Sequence, residues 1–196
     1  MATSRGLLPK ASREELDERQ QRRLERWYDT GYKDDNLFLT LARSPELMDA
    51  VFKFIGFLYG GSSVEPDLFE LVRIKLAWSN QCTHCSLVRS ESVVCKWDDV
   101  DAMVMKLVDY ENSDLPDRTK AALRLADRMT QPEARLEQSD YDDVRRYFSD
   151  QEILDLGMSI AFSTGFSRFI EGFGIVPDEY KEGAAKPWEM YAPSES

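Results

Sequence analysis

Histidine is all but missing from this chain of 196 residues, where His84 stands alone. Any Ser-His-Asp arrangement would rest on that one imidazole, and no strained serine turn of the G-x-S-x-G kind accompanies it. Gly-rich phosphate loops (G-x-G-x-x-G, the P-loop) and the metalloprotease H-E-x-x-H are absent too. Cysteine is limited to Cys82, Cys85 and Cys95, and an odd number of thiols behind no secretory h-region makes a structural disulfide framework unexpected. The longest apolar stretch runs from Phe54 to Tyr59, far short of the ~20 residues of a membrane span. Positive charge is also scarce. Lys and Arg number 25 against 36 Asp and Glu, a net charge of −11 that repels phosphate backbones and argues against nucleic acid. Alternating apolar and polar runs, the signature of strands, do not occur. The expectation is a cytoplasmic, soluble, all-α protein with neither nucleic acid nor membrane as partner.

What is present reads as helix. Apolar residues make up 42% and charged residues 31%, enough for one buried core and too apolar for a disordered chain. Residues 13–26 carry ten charged side chains, five of each sign, around Leu16 and Leu24, a solvent-laced helix lying over the body. After Gly31, residues 36–42 form a short apolar helix capped by Asn36. Pro45 opens the next helix, which ends at Gly60-Gly61. Residues 66–78 are apolar on more than half the circumference, which places that helix at the centre. Ser79-Asn80 interrupts it and caps a helix carrying Cys82, Cys85, Leu87 and Val88. Further helices fit 97–110, 117–130 and 140–148. Ser149-Asp-Gln-Glu152 resembles a capping box opening a long last helix, with Phe162, Phe166, Phe169 and Phe173 at helical spacing and Gly174 as its stop. From Val176 onward Pro177, Pro187 and Pro193 are mixed with Trp188, Met190 and Tyr191 without a helical period, so the tail is expected to dock, a neighbouring subunit being one place for it. The organisation is a charged helical arm (1–35), an all-α core (36–176) and an irregular tail (177–196).

The chemistry concentrates in Cys82-Thr-His-Cys85. Two thiols three residues apart in the first turns of a helix share nearly one face, and the unpaired N–H groups there favour thiolate. Such a pair suits a cycle in which one sulfur attacks a peroxide or disulfide and the other resolves the product. Half of a metal site and two incidental buried cysteines are the competing readings. Zinc is disfavoured because the remaining ligands are His84, awkwardly inside the pair, and Cys95, itself expected as a buried small residue. Glu70 lies on an apolar strip with Ile74 and Ala77, either snorkelling at an edge or pointing inward as a proton acceptor. Arg89, four residues after Cys85, shares its helical face and would stabilise a thiolate, or else is a surface arginine paired with Glu91 or another acid. His84 is either a direct participant or an exposed or interface side chain. Arg168 is expected in a buried or interface ion pair, with ligand carboxylate binding behind it.

The run from Glu70 to Cys85 resembles the AhpD-like branch of the carboxymuconolactone decarboxylase family, whose motif sets a glutamate twelve residues before the first cysteine, then C-x-x-C, then a histidine four residues on. Ser44-Pro-Glu-Leu-Met48, Tyr147-Phe-Ser-Asp-Gln-Glu-Ile and Ala161-Phe-Ser-Thr-Gly-Phe-Ser-Arg168 extend the resemblance over roughly 36–176. It implies an AhpD-like all-α bundle assembling as a homo-oligomer, trimer or hexamer. It also implies Cys85 as peroxidatic thiol, Cys82 as resolving thiol, Glu70 as outer relay member, and His84 as the histidine some members carry inside the pair. Arg89 stands where the family has its relay histidine. The expectation is that Arg89, paired with Glu70, holds Cys85 as thiolate while water or His84 carries the proton. The implied activity is a thiol peroxidase with peroxiredoxin-type, antioxidant chemistry. Its substrate would be a hydroperoxide, its recycling agent an external dithiol or thioredoxin-like reductant, and no bound cofactor is implied. A lactone decarboxylase-like enzyme acting on a small acidic ring and a non-catalytic redox sensor are the alternatives.

Overall fold

The segment most apolar around its circumference sets the architecture. A computed structural model describes residues 6–29, 34–131 and 135–178, and these form helices with no strand. In chain order they are α1 (Glu18–Asp29), α2 (Asn36–Leu41), α3 (Pro45–Gly60), α4 (Pro66–Ser79), α5 (Thr83–Leu87), α6 (Glu91–Val94), α7 (Val100–Met105), α8 (Asp117–Thr130), α9 (Gln138–Arg145) and α10 (Asp150–Gly172), with 3₁₀ turns at Arg13–Glu15 and Tyr110–Asn112. The expected central helix is α4, which buries Leu68, Phe69, Glu70, Leu71, Val72, Ile74, Leu76 and Ala77. It packs mainly against α8 and α10. One apolar cluster joins α4, α8 and Leu156 and Ile160 of α10. A second gathers Leu24 and Trp27 of α1, Leu37 and Phe38 of α2, and Ala77, Cys82, Cys85 and Ile170. The charged arm therefore seals the side of the core where the cysteines lie.

Local chemistry explains most of the boundaries. Ser149 and Glu152 close the expected capping box, the Ser149 Oγ accepting from the Glu152 N–H at 3.3 Å and the carboxylate accepting from the Ser149 N–H at 2.7 Å. The phenylalanines of α10 stack as expected, with centroids 5.1 Å apart for Phe162–Phe166 and 6.2 Å for Phe166–Phe169, while Phe173 at the helix cap tilts against Phe169 at 5.3 Å. Gly174, at φ 65°, then stops the helix.

Several expectations need correction. Residues 13–26 are not one helix, because Leu16 turns extended and Asp17 and Gln20 exchange side-chain bonds with each other's N–H, starting α1 anew. Asn36 does not cap α2; its amide donates to the Val176 carbonyl (2.8 Å) and to Asp178 (2.7 Å), pinning the end of the core to the α2 start. Cys95 is exposed rather than buried. The helix expected over 97–110 shrinks to α7 and a 3₁₀ turn, that over 140–148 starts at Gln138 and ends at Arg145, and α6 was not foreseen. Arg168 is exposed and has no ion pair among the described residues. Gly31 and the tail residues Pro187, Trp188, Met190, Tyr191 and Pro193 lie outside the described residues. No described helix is long and apolar enough to cross a membrane.

Candidate active site

Cys82 and Cys85 are placed by the way α4 ends. Gln81 adopts the left-handed conformation at φ 52°. Its N–H bonds the Trp78 carbonyl and the Cys82 N–H bonds the Ala77 carbonyl, both at 2.9 Å. This pairing is a Schellman ending, with Gln81 where glycine is usual. The chain leaves it at Cys82, whose Sγ caps α5 by accepting the Cys85 N–H at 3.2 Å. Cys82, not Asn80, is thus the cap; Asn80 instead returns its amide to the Leu76 carbonyl at 2.8 Å. The next free donor, the Thr83 N–H, is taken by Glu171 of α10 at 2.8 Å. The two sulfurs are joined as a disulfide across a Cα separation of 5.3 Å, an ordinary span for that bond.

Beneath this turn lies Glu70, with 0% of its surface exposed. The snorkelling alternative is excluded by that burial. Burial alone would push its pKa up, but the Arg73 charge and hydrogen bonds from Arg73, Tyr59 and Ser90 overcome that and hold the carboxylate below the usual range. Arg73 grips it with Nε at 2.8 Å and Nη2 at 2.7 Å. The Tyr59 hydroxyl donates at 2.6 Å and the Ser90 N–H at 3.0 Å. Arg73 reaches further, to the Cys85 carbonyl at 2.7 Å and the Val88 carbonyl at 2.9 Å. One guanidinium therefore ties the buried acid to both ends of the cysteine turn.

That finding corrects the role expected of Arg89. The helix carrying Cys85 ends at Leu87, and Val88 is extended, so the four-residue spacing no longer puts Arg89 on the Cys85 face. The Arg89 Nη1 donates to the Ser86 (2.7 Å) and Val88 (2.8 Å) carbonyls, closing the end of α5. The cation paired with Glu70 is Arg73.

His84 is 2% exposed, which rules out the exposed alternative. Burial first, then the Arg73 charge, pushes its pKa down to about 4, so the ring is neutral at pH 7. Its Nδ1 has no hydrogen-bond partner among the described residues and lies 3.7 Å from Oδ1 of Asp34. Burial raises the Asp34 pKa to about 6, against the N–H groups of Asp178 and Asn36 that favour its charge. A neutral imidazole and a carboxylate reluctant to ionise thus sit side by side next to the disulfide.

Cys85, His84, Arg73 and Tyr59 share one cavity of about 70 Å³, walled otherwise by Ser163, Ser167 and a majority of apolar groups that include Leu58, Phe69, Phe162, Phe166 and Ile170. Of the expected site residues, Cys85 and His84 line it, Glu70 supports it from below through Tyr59 and Arg73, Cys82 lies behind Cys85, and Arg89 is not among its walls. Sequence reasoning missed Tyr59, Arg73, Asp34 and Glu171. Only Arg73 left a signal, an arginine three residues after Glu70 in the same long helix.

No protein-family model matches the chain, and no curated protein matches it in sequence. Solved structures do match in fold. A crystal structure described as the alkylhydroperoxidase AhpD core, an uncharacterized peroxidase-related protein from Ralstonia eutropha JMP134, is 23% identical with TM-score 0.73, over 89% of this chain and 93% of that one. An uncharacterized peroxidase-related protein from Silicibacter sp. TM1040 is 21% identical with TM-score 0.77, over 93% and 96%. The debrominase Bmp8, as a variant in complex with 2,3,4-tribromopyrrole, is 17% identical with TM-score 0.74, over 88% and 92%.

Proposed function

We propose that this chain, whose fold is AhpD-like, is a thiol-dependent oxidoreductase that reduces small hydroperoxides at Cys85. The observation that carries the reading is the placement of Cys85 in the wall of an apolar cavity with the Cys82 sulfur in bonding reach behind it. In the reduced enzyme the Cys85 proton passes across the cavity to the Tyr59 hydroxyl, and the hydroxyl proton to Glu70, only transiently as the sulfur begins its attack, since Glu70 favours its charged form. The thiolate attacks the terminal oxygen of ROOH and breaks the O–O bond. Cys85 becomes a sulfenic acid, and the alkoxide takes a proton back along the same path to leave as ROH. Cys82 then attacks the Cys85 sulfur; the S–O bond breaks, hydroxide departs with the Cys82 proton as water, and the disulfide forms. An external dithiol returns two electrons and two protons by exchange. Neutral His84, beside Cys85, supports the turn and adds no competing positive charge. A reducing cytoplasm suits this cycle. A small acidic lactone fits the cavity less well, because its cation, Arg73, is already gripped by Glu70.

The reading extends to a homo-oligomer. Leu154 is 66% and Met158 53% exposed on α10. Beside them Gly157 and Gly165 meet nothing that a Cβ would strike within 4 Å. Glycine costs a helix about 1 kcal/mol against alanine, and nothing among the described residues offsets that here, which supports close approach of a second copy.

The test is a thiol count. Titrating the reduced protein with tert-butyl hydroperoxide should consume two thiols per chain and leave Cys95. Cys82→Ser should stop at a Cys85 sulfenic acid trapped by dimedone, and Cys85→Ser should not react. Retention of all three thiols would overturn the proposal. Because one structural neighbour is a debrominase, the titration is repeated with 2,3,4-tribromopyrrole. Thiol loss to that compound but not to the hydroperoxide would replace the peroxidase reading.

A further inference from the structure

The cavity that holds Cys85 has a neighbour of opposite character. An open groove of about 710 Å³ runs along α1 and α3, lined by Arg19, Arg23 and Arg26 on one side and Lys53 and Asp49 on the other. Trp27, Ile55 and Tyr59 line both spaces, so the groove and the cavity meet at these three side chains. In a chain whose net charge is −11, this floor holds four cations against one acid.

The cations are not equivalent. Arg19 and Arg23 both close on Asp49, which neutralises the one acid present and fixes their positions, and Arg23 also covers the Phe52 ring at 5.7 Å. Arg26 and Lys53 have no hydrogen bond or ion pair among the described residues. Two uncommitted cations thus stand beside a fixed pair, next to Trp27, Ile55 and Tyr59, the side chains that separate the groove from the cavity holding Cys85. The cavity beyond is apolar and offers no uncommitted charge of its own.

We propose that groove and cavity together bind an amphipathic anion. A carboxylate would sit among Arg19, Arg23, Arg26 and Lys53, and an acyl tail would pass Trp27, Ile55 and Tyr59 to present its reactive end to Cys85. The inference rests on the peroxidase reading of the preceding section and specifies its substrate class as a hydroperoxide of a carboxylic acid. Its binding half can be tested without any turnover.

The first measurement is binding of decanoate, below its micellar concentration, to the oxidised full-length protein, followed by Trp27 fluorescence with Trp27→Phe identifying the reporter. Saturable quenching that weakens with added salt is expected. Arg26→Ala/Lys53→Ala should weaken it about tenfold. The second measurement compares linoleic acid hydroperoxide with its methyl ester by kcat/KM. A preference for the acid of about tenfold is expected, and it should vanish in the same double variant. Failure of decanoate to bind, binding indifferent to the double substitution, or equal turnover of acid and ester would each overturn the proposal. Decanoate binding that obeys the charge rule, with no thiol lost to either hydroperoxide, would uphold the groove as an anion site and remove the peroxidase reading and the substrate class with it.

Discussion

Replacing Arg73 with methionine keeps most of the side-chain volume and deletes the guanidinium that organises the site. In the native protein that group makes two charge-assisted bonds to Glu70 at 2.7 and 2.8 Å, and it satisfies the Cys85 and Val88 carbonyls at 2.7 and 2.9 Å. Glu70 is wholly buried, so the variant leaves a carboxylate in the core with only the Tyr59 and Ser90 donors. Removing one partner of a buried pair costs about 3–5 kcal/mol, and the orphaned Cys85 carbonyl adds ~1, while the Val88 carbonyl keeps its bond from Arg89. Protonation of Glu70 relieves part of this, so a net loss of about 4 kcal/mol is expected at pH 7. For a chain of this size that is a fall in Tm of ~8–16 °C. Urea denaturation of the reduced protein at pH 7 and pH 5 reads both components. Without Arg73 the Glu70 pKa rises above its unfolded value, so the deficit against the native protein should shrink toward pH 5. Glu70→Gln/Arg73→Met should recover ~2 kcal/mol relative to the sum of the single losses, because no charge is left stranded. A single-variant loss under ~1 kcal/mol, or strict additivity in the double, would refute the claim that this pair is the buried support of the cysteine turn.

Three further expectations concern other parts of the molecule. Gln81→Gly should stabilise the fold by ~0.5–1 kcal/mol in urea melts, since glycine meets no Cβ penalty at φ 52°. A loss on that substitution would show that the Gln81 side chain matters more than its backbone. The Asp34–His84 neighbours carry opposite pH dependences. Asp34, raised to about 6, gives stability present below its ordinary pKa and lost as pH rises through about 6, whereas His84, lowered to about 4, gives stability present above its ordinary pKa and lost as pH falls toward about 4. The two slopes oppose one another in the native protein. Asp34→Asn should therefore become more stable by on the order of 2 kcal/mol relative to native as pH goes from 4.5 to 6.5, and His84→Asn should drift the other way; parallel profiles would show that neither group is displaced as described. Met158→Glu, on the exposed face of α10, should convert the proposed homo-oligomer to monomers in light-scattering chromatography without lowering monomer Tm by more than a degree or two.

The fold was legible wherever a residue type and its backbone requirement coincided. Both long helices that border the site, α4 and α10, end in the same Schellman geometry. The N–H of Gly174 bonds the Glu171 carbonyl at 2.9 Å and that of Ile175 the Ile170 carbonyl at 3.0 Å, just as Gln81 and Cys82 bond back to Trp78 and Ala77. One ending has glycine in the left-handed position and can be read from the sequence. The other has Gln81, so Ser79-Asn80 marks the break correctly but also draws the cap of the next helix, which belongs to Cys82. Tertiary contact explains why the chain accepts this. Glu171 takes the Thr83 N–H, and the Cys82 and Cys85 side chains are buried in the cluster that contains Ile170. These contacts hold the turn in a conformation glutamine alone does not favour.

The same reasoning explains how the cation of the site was assigned to the wrong arginine. A spacing of four from Cys85 selects Arg89 only if the helix continues through it, and α5 stops at Leu87. A spacing of three from Glu70 selects Arg73 inside α4, a helix of 14 residues whose register is fixed by its buried face. Spacing arguments are thus as strong as the helix that carries them is long: they held for Glu70 in α4 and for the phenylalanines of α10, and failed in the five residues of α5. With Arg89 turned to backbone carbonyls and His84 held neutral by burial, the group positioned to exchange a proton with Glu70 is the Tyr59 hydroxyl at 2.6 Å. Nothing in the sequence marks Tyr59, because α3 and α4 meet there through tertiary packing alone. If that proton path is right, Tyr59→Phe should lower the rate of Cys85 oxidation by tert-butyl hydroperoxide by about 10²-fold near pH 7. The difference should narrow as rising pH ionises the thiol unaided, a convergence that a merely structural tyrosine would not produce.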